Sequence, residues 1–314
     1  MSNAASHAAH LALALLLAPL FVGVINRVKA KVGGRRGKPL LQLYFDIAKL
    51  LRKSEVISTS CTWVFQVAPS VSLASAVLAL SLLPLAHTAS PLAFQGDFMV
   101  AAYLLGMGRF VMSLAALDTA SPFEGMGASR EAAFSALAEP CIFLCFLCLA
   151  HSARQAGHGD FLSLSAMFAK SPLEIWSQGR PELLLIPLVL FFLLLVENCR
   201  IPIDDPTTHL ELTMIHEVII LDHSGPNLAF ILYGAALKLW FFAVLLVNTT
   251  LPALDGLPVP AQWGVDVAAV FAVAVLVGLV ESSLARVRMY RVSPLLCCAA
   301  ALAGLALTLT LTRG

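Results

Sequence analysis

Long apolar runs, separated by short polar segments, follow one another along almost the whole chain. The hydrocarbon core of a bilayer is about 30 Å thick, so a helix needs about 20 apolar residues to cross it. Because backbone polar groups in lipid must be satisfied within their own segment, such runs form helices. The pattern predicts eight membrane spans, the fifth of them short, at residues 8–25, 63–85, 98–117, 132–150, 181–197, 226–248, 263–284 and 292–312.

A different pattern follows the first span, where apolar residues recur at helical spacing beside a polar face. The apolar positions are Leu40, Leu43, Tyr44, Ile47, Leu50 and Leu51, and the polar ones are Gln42, Asp46, Lys49, Arg52 and Lys53. This spacing is typical of an amphipathic helix that lies on the membrane surface or against a partner. We expect a second such segment at residues 161–176, on the outer side. No long linker divides the chain, so residues 1–314 are predicted to form a single transmembrane domain.

The composition agrees with a membrane protein. Hydrophobic residues make up 59% of the chain and charged residues only 12%, whereas soluble domains carry about 25% charged residues. A formal net charge of +1 excludes a bulk electrostatic partner such as nucleic acid. Residues 1–25 have no charged leading region and no clear cleavage site, so we expect a retained first span. The predicted fold class is an all-α integral membrane protein, with about eight transmembrane helices plus amphipathic surface helices.

The distribution of lysine and arginine predicts the orientation. The loops after spans 1, 3, 5 and 7 carry fourteen of these residues, nine of them in the first loop, and the loops after spans 2, 4 and 6 carry three. Positively charged residues are enriched in cytoplasmic loops. Both termini are therefore predicted to lie outside, and the loop after span 5 in the cytoplasm.

Two cations lie near the middle of predicted spans, Arg109 in span 3 and Lys238 in span 6. Either would cost at least about 2.5 kcal/mol if it faced lipid, so both are expected to point into the bundle and find acids. Paired buried ions could simply fix the helix register; the alternative is a polar axis that carries ions. Glu139, part-way into span 4, and Glu197, at the end of span 5, are the candidate partners, and Glu124 and Glu131 flank Arg130 at the start of span 4.

The stretch from residue 200 to residue 225 concentrates ionisable groups between two apolar runs. It holds five of the 19 acids and three of the eight histidines, which favours a functional loop over a merely solvated one. Its acidic and histidine residues are Asp204, Asp205, His209, Glu211, His216, Glu217, Asp222 and His223.

Two motifs that could indicate metal binding are weak. Cys141, Cys145 and Cys148 match a CxxxCxxC spacing, but they lie inside an apolar helix without a loop to wrap a cluster, which favours packing. His216 and Glu217 begin like HExxH, yet position 220 is Ile220. A divalent-metal site among the three histidines of this stretch is left as a weaker alternative. We expect no cofactor and no metal in this chain, and reduced cysteines without disulfides.

Two cytoplasmic stretches resemble the family of NADH dehydrogenase subunit 1 of respiratory complex I. They are Arg35–Val56 and Arg200–Gly225, and in the second the matching residues are Arg200, Pro202, Asp204, Glu211 and Leu212. Within that family, LDTASPFEGMGASRE at Leu117–Glu131, followed by Glu139-Pro140, is most similar to the membrane anchor subunit of group 4 membrane-bound [NiFe] hydrogenases, of the formate hydrogenlyase and hydrogenase-4 type.

The resemblance implies a subunit of the prokaryotic inner membrane that anchors a hydrophilic redox arm and couples electron transfer to H⁺ or Na⁺ translocation. It implies hydrogenase large and small subunits, iron–sulfur subunits and antiporter-like membrane subunits as partners. The [NiFe] centre and the iron–sulfur clusters are then expected in those partners. The basic first loop offers a docking surface at Arg35, Arg36, Asp46, Lys49, Arg52 and Lys53.

The chain also departs from the respiratory pattern. Thr207 and His209 stand where further glutamates are usual, and Asp222-His223 replaces a usual Glu-Tyr pair, which puts a quinone pocket in doubt. One alternative function is the equivalent subunit of a quinone-reactive or hydrogenase-related complex. Another is a stand-alone ion transporter, which should show an internal repeat with interrupted helices; no clear repeat is visible in the sequence.

Overall fold

The computed structural model describes residues 3–85, 90, 92–157, 160–169, 181–204, 214–252 and 258–313. Within these ranges every regular element is a helix, and seven helices are long and apolar enough to cross a membrane. The predicted fold class of a multi-pass, all-α membrane protein is thus confirmed. The helices are α1 Asn3–Val32, α2 Gln42–Leu50, α3 Trp63–Leu82, α4 Asp97–Asp118, α5 Pro122–Gln155, α6 Leu164–Met167, α7 Leu185–Glu197, α8 His216–Ile219, α9 Gly225–Thr250, α10 Val259–Ser283 and α11 Val292–Arg313.

Three predicted spans differ clearly in length from the helices found, and the first of them is α1, which has 30 residues instead of the predicted 18. The fifth is a 3₁₀ turn, Pro181–Leu184, followed by α7, whose 13 residues extend only about 20 Å. The fourth is α5, whose 34 residues extend about 51 Å and begin ten residues before the predicted start. Pro122 opens α5, and proline is favoured in a first helical turn because its missing N–H would be unpaired there anyway. The apolar pattern missed the polar opening turns of α5, which pack on α8 through Gly127.

The core is organised around α9, the most deeply buried of the long helices. Trp240 of α9 is buried and meets the rings of Phe21 and Phe271 edge-on, each at 6.0 Å between centroids. These two rings belong to α1 and α10, which pack on each other and on α9. Because α9 is enclosed, a charged side chain on its inner faces has to find partners within the protein.

The predicted surface helix after the first span is present as α2, and a hydrogen bond from its Tyr44 to α1 holds it in position. Pro19 interrupts α1 and, lacking an N–H, leaves the carbonyl of Leu15 without its helical donor. The hydroxyl of Tyr233 donates to that carbonyl at 2.9 Å, and the hydroxyl of Tyr44 in α2 donates to the next carbonyl, that of Leu16. The amphipathic helix is therefore fastened to the middle of α1, close to Pro19.

The second predicted surface helix, at residues 161–176, is not found in the part that the structure describes. Residues 160–169 form only the four-residue α6, whose Leu164 and Met167 are buried. Asp97 at the start of α4 holds it: one carboxylate oxygen accepts from the N–H of Leu164 at 2.6 Å and the other from the Ser163 hydroxyl at 2.8 Å. This segment packs into the protein, and residues 170–176 lie outside the described ranges.

Candidate functional site

Arg109, in the middle of α4, joins three helices through its two terminal nitrogens. Nη2 donates to Glu139 Oε1 of α5 at 2.8 Å, and Nη1 donates to Glu197 Oε1 at the end of α7. The Arg109 side chain is only 11% exposed, so both ion pairs lie within the bundle or at its edge. Ion pairs through Arg109 therefore link α4 to α5 and to the end of α7.

Lys238 of α9 approaches the same Glu197 from the other side. Its Nζ lies 3.1 Å from Glu197 Oε2 and donates to the Glu197 main-chain carbonyl at 2.6 Å. The ammonium thus meets both the carboxylate and an unpaired carbonyl of the last turn of α7, where helix dipoles favour cations. Glu197 is almost fully buried, at 1% side-chain exposure, and its carboxylate contacts both cations. The four-residue cluster of Arg109, Glu139, Glu197 and Lys238, formally neutral with both acids ionised, is called here the central cluster.

A cavity of about 430 Å³ extends from the central cluster toward the loops. Arg109, Glu197 and Lys238 line one part of it, and Lys38 and His216 line another. At about 30 Å³ per water molecule, it has room for on the order of 14 waters. Further polar groups on its wall are Asn26, Ser72, Ser75, Glu131, Asn198, Arg200, Asp204 and Glu217. The cavity therefore connects the central cluster with the side of the first loop and α8.

A second, much smaller space lies against the central cluster. It holds about 20 Å³, enough for about one water molecule, and its walls are mainly aromatic and aliphatic side chains of α4, α5 and α9. Arg109 and Glu197 line both spaces, whereas Glu139 lines only the small one. The Arg109–Glu197 ion pair thus stands between the large cavity and Glu139.

A second ionic network fastens the loops beside the large cavity. Glu281, fully buried near the end of α10, lies 2.7 Å from Lys29 Nζ and 3.2 Å from Arg200 Nε. Asp204 pairs with Arg286 at 3.0 Å and accepts the N–H of Ile215 at 2.8 Å through its other oxygen. Sequence reasoning placed Asp204 in an acidic loop but missed these partners, because a single sequence does not show which distant charges pair.

The family follows from comparison with known proteins. A family model described as NADH dehydrogenase matches residues 6–311. The chain belongs to the NADH dehydrogenase family. It is 37% identical over 239 residues to hydrogenase-4 component C of Escherichia coli (strain K12), which covers 76% of this chain and 72% of that protein. It is 31% identical over 279 residues to formate hydrogenlyase subunit 4 of the same strain, which covers 87% of each.

A solved structure shows the same fold. A chain of the membrane-bound sulfane sulfur reductase, an archaeal respiratory membrane complex, matches with a TM-score of 0.77 over 96% of both chains, at 19% identity. The resemblance to the subunit 1 family of NADH dehydrogenase, and to its hydrogenase-4 and formate hydrogenlyase members, is confirmed.

Glu124 and Glu131, the two acids at the opening of α5 in this member of the NADH dehydrogenase family, occupy different places. Glu131 lines the large cavity, and its Oε2 lies 3.8 Å from the Cys199 sulfur. Glu124 is buried but lines neither space; its Oε1 accepts from the N–H of Asp222 at 3.0 Å. The neighbouring Arg130 donates to the carbonyl of Met214 at 2.7 Å. The structure thus brings Glu131 toward the central cluster, and Glu124 toward the loop before α9.

In the described part of the acidic stretch, His216 and Glu217 are partly buried and Asp222 is exposed. Asp204 and His223 are buried, and Asp205, His209 and Glu211 lie outside the described residues. The His223 ring stacks on Phe65 with centroids 4.0 Å apart, and burial lowers its pKa to about 4. This histidine is therefore neutral at physiological pH. His216 and Glu217 line the large cavity.

The cysteines of α5 are buried in the helix bundle. Cys141, Cys145 and Cys148 all point into the core, and the Cys148 sulfur lies 3.7 Å from the Thr310 hydroxyl of α11. Within the described ranges, no three histidine, cysteine or acidic side chains are grouped so as to hold a metal ion.

The basic residues proposed for docking are exposed. Arg35, Arg36, Lys49, Arg52 and Lys53 all lie on the surface around α2. The sixth residue of the predicted docking surface is Asp46, which is half-buried and accepts from the Gln42 amide at 2.8 Å.

Proposed function

We propose that this chain is the membrane subunit of a hydrogenase-4 or formate hydrogenlyase type of complex, where it anchors the hydrophilic redox arm and couples electron transfer to ion translocation. The observation that carries the coupling part is the path from the large cavity to the Arg109–Glu197 ion pair and on to Glu139. The similarity to two E. coli proteins with those names supports the type of complex.

The anchoring role is supported by a braced, exposed surface on the side of the first loop. The loop after α2 is tied to the start of α9: the N–H of Val56 donates to the Ser224 hydroxyl at 2.9 Å, and that hydroxyl donates to the Val56 carbonyl at 3.2 Å. Glu55 accepts from the N–H of Asn227 at 3.2 Å, which caps α9 with a negative charge. A soluble module therefore meets a surface with fixed geometry, in which basic side chains provide the charge.

The coupling role rests on the difference between the two glutamates of the central cluster. Glu197 is buried, and its carboxylate contacts two cations. Glu139 meets one cation, which it shares with Glu197, and its side chain is 41% exposed. Glu139 therefore has fewer charged partners than Glu197 and is the candidate relay group. Arrival of a proton there frees Arg109 to interact with Glu197 alone.

The partners and cofactors follow from this proposal. Hydrogenase large and small subunits and iron–sulfur subunits bind on the side of the first loop and hold the [NiFe] and iron–sulfur centres, while antiporter-like subunits lie beside this chain in the membrane. Affinity purification of the tagged chain from mildly solubilised native membranes tests this assignment. Co-purifying hydrogenase subunits with nickel and iron support it, and isolation of the chain alone, or with a quinone-reducing arm that lacks nickel, refutes it.

Replacement of Glu139 by glutamine tests the coupling. Glutamine keeps the shape and a hydrogen bond to Arg109 but cannot carry a proton. We expect the complex to assemble and transfer electrons with fewer ions moved per electron, measured in proteoliposomes with a pH-sensitive dye and with radioactive sodium. Asp160→Asn, a charge-neutralising change at an exposed residue outside the central cluster and the docking surface, is the control. Loss of assembly in Glu139→Gln indicates a purely structural counter-ion, and normal ion transfer excludes a relay.

A quinone-reactive complex is the second candidate, and the large cavity is the observation that favours it. Its volume of about 430 Å³ lies in the usual range of ligand pockets, about 300–1,000 Å³, and much of its wall is aliphatic. The many charged side chains on its wall disfavour the binding of an uncharged quinone ring. Photolabelling of the purified complex with an azidoquinone distinguishes the two: labelling of cavity residues that excess quinone prevents supports this candidate, and its absence supports the hydrogenase type.

A further inference from the structure

The segment between α10 and α11 is fixed to the rest of the chain, yet it presents two arginines without an acidic partner. The N–H of Val287 donates to the carbonyl of Pro202 at 2.8 Å, and a 3₁₀ turn, Met289–Arg291, follows it. Arg288 and Arg291 are exposed, and neither forms an ion pair with a described residue. Two positive charges on a fixed backbone are therefore left uncompensated within the described part of the chain.

Aromatic and aliphatic side chains surround these two charges. Tyr290 is 64% exposed, and the Arg291 guanidinium lies 5.7 Å from the centre of its ring, a cation–π contact. Leu284 before the turn and Leu295 after it are exposed as well. Tyrosine is enriched where a membrane meets water, because its ring is apolar and its hydroxyl polar. Exposed arginine, tyrosine and leucine side chains together are typical of a surface at the level of lipid headgroups.

The helices α10 and α11 do not pack on each other along their described lengths, although they follow one another in the chain. α10 packs on α1 and α9, whereas α11 packs on α5 and α7. The short α7 packs on both α9 and α11, and its Leu188 is nevertheless 58% exposed. An apolar cleft therefore separates α10 from α11, with Leu188 on its floor and with Arg288 and Arg291 at its mouth. It is called here the α10–α11 cleft.

This cleft has the depth of one lipid leaflet. Leu188 lies about 14 Å along α7 from Glu197, the last residue of that helix. Arg200, just beyond it, pairs at 3.2 Å with Glu281 near the end of α10, so the two helices end at a similar level. Half of a hydrocarbon core of about 30 Å is about 15 Å. An acyl chain whose headgroup lies at the two arginines therefore reaches Leu188 within its own leaflet.

We infer that the α10–α11 cleft binds an anionic phospholipid, with its phosphate at Arg288 and Arg291 and one acyl chain against Leu188. Guanidinium groups match the oxygens of a phosphate in pairs of hydrogen bonds. The neighbouring Arg286 is already paired with Asp204, which leaves the phosphate to these two arginines. A zwitterionic headgroup carries its own cation, so charge complementarity selects an anionic one. The bound lipid would fill the space between two helices that do not touch, and this role is separate from ion coupling.

Native mass spectrometry of the purified chain in detergent tests the inference, by titration with phosphatidylglycerol or with phosphatidylcholine of the same acyl chains. We expect the wild type to prefer phosphatidylglycerol, and Arg288→Gln/Arg291→Gln to bind it about 25-fold more weakly, about fivefold for each arginine. Neither arginine has an ion pair with a described residue to lose, so this variant should keep the melting temperature of the wild type. Lys49→Gln/Arg52→Gln removes two exposed charges at the same spacing and is the control.

The cleft itself is tested by Leu188→Trp, which fills its floor and should weaken phosphatidylglycerol binding with both arginines in place. The matched exchange Tyr103→Trp, at an exposed position of α4, should not. Four results overturn the inference: equal wild-type affinity for the two lipids, an equal loss in the Lys49/Arg52 control, unchanged binding in Leu188→Trp, or displacement of the lipid by glycerol 3-phosphate at equal concentration. The last result would identify a site for a soluble phosphate. The lipid comparison, the glycerol phosphate competition and the Leu188→Trp arm decide the matter even if the arginine variant fails to fold.

Discussion

Replacing Glu197 by glutamine is the most direct probe of the central cluster. The change removes the charge that Arg109 and Lys238 share and leaves the shape of the side chain. Among the described residues, Arg109 then keeps its ion pair with Glu139, whereas Lys238 keeps no ion pair. Removing one partner of a buried ion pair costs about 3–5 kcal/mol, because the other charge is left without compensation.

Glu139→Gln provides the matched comparison on the same arginine. Its carboxylate is partly exposed, and Arg109 keeps Glu197 when it is neutralised. Neutralising Glu139 therefore leaves no cation of the central cluster without an acid, whereas neutralising Glu197 leaves Lys238 without one. The two variants should therefore differ by roughly 3 kcal/mol, which corresponds to about a 100-fold difference in the unfolding equilibrium.

Thermal unfolding of the purified chain in detergent, followed by circular dichroism, measures this difference. We expect the melting temperature of Glu197→Gln to fall well below that of Glu139→Gln. The double variant Glu197→Gln/Lys238→Met should recover part of the loss, since coupled partners are not additive. Equal stability of the two glutamate variants, or strictly additive effects in the double variant, would refute the assignment of Glu197 as the shared counter-ion.

Three further predictions address the loops. A cysteine at Arg36 should react with a membrane-impermeant maleimide only from the cytoplasmic side, and one at Asp255 only from outside; labelling of position 36 in intact cells contradicts the orientation. The double variant Lys49→Glu/Arg52→Glu should release soluble subunits at a lower salt concentration than the wild type, because less attraction is left for added salt to screen. If the salt concentration needed for release is unchanged, these two residues do not take part in docking. His223 has a pKa of about 4 in the folded protein against about 6.5 when unfolded, so the unfolded chain takes up its proton first as pH falls. Stability should drop between pH 6.5 and 4, by at most about 3 kcal/mol from this group, and His223→Phe should flatten that part of a pH titration of the melting temperature.

The spans and the pairing of the mid-membrane charges could be predicted from the sequence, because exposing unpaired backbone polar groups or charged side chains to lipid costs free energy. Apolar runs of membrane length have one stable conformation in lipid, and a cation such as Arg109 in such a run has to find an acid. Only a few acids lay at suitable depth, so Glu139 and Glu197 could be named in advance as its candidate partners.

Other pairings could not be predicted from the sequence. Lys29 and Glu281 are separated by nearly the whole chain, and nothing local in either segment indicates the other. The burial of Asp204 likewise depends on Arg286, which reaches it from the segment after α10. A residue count of an acidic loop gives its charge, but only the packing of neighbouring segments decides which of its carboxylates meet solvent.

The length of α5 has a mechanical consequence. One continuous helix carries Glu124, which contacts the loop before α9, and Glu139, which contacts Arg109. Fifteen residues separate them, a lever arm of about 22 Å. A tilt of only about 3° about the Glu124 end would displace the Glu139 carboxylate by roughly 1 Å, which is enough to stretch its 2.8 Å contact with Arg109 beyond hydrogen-bonding distance. A small displacement at the Glu124 end of α5 would thus make or break the Arg109–Glu139 ion pair at the other end.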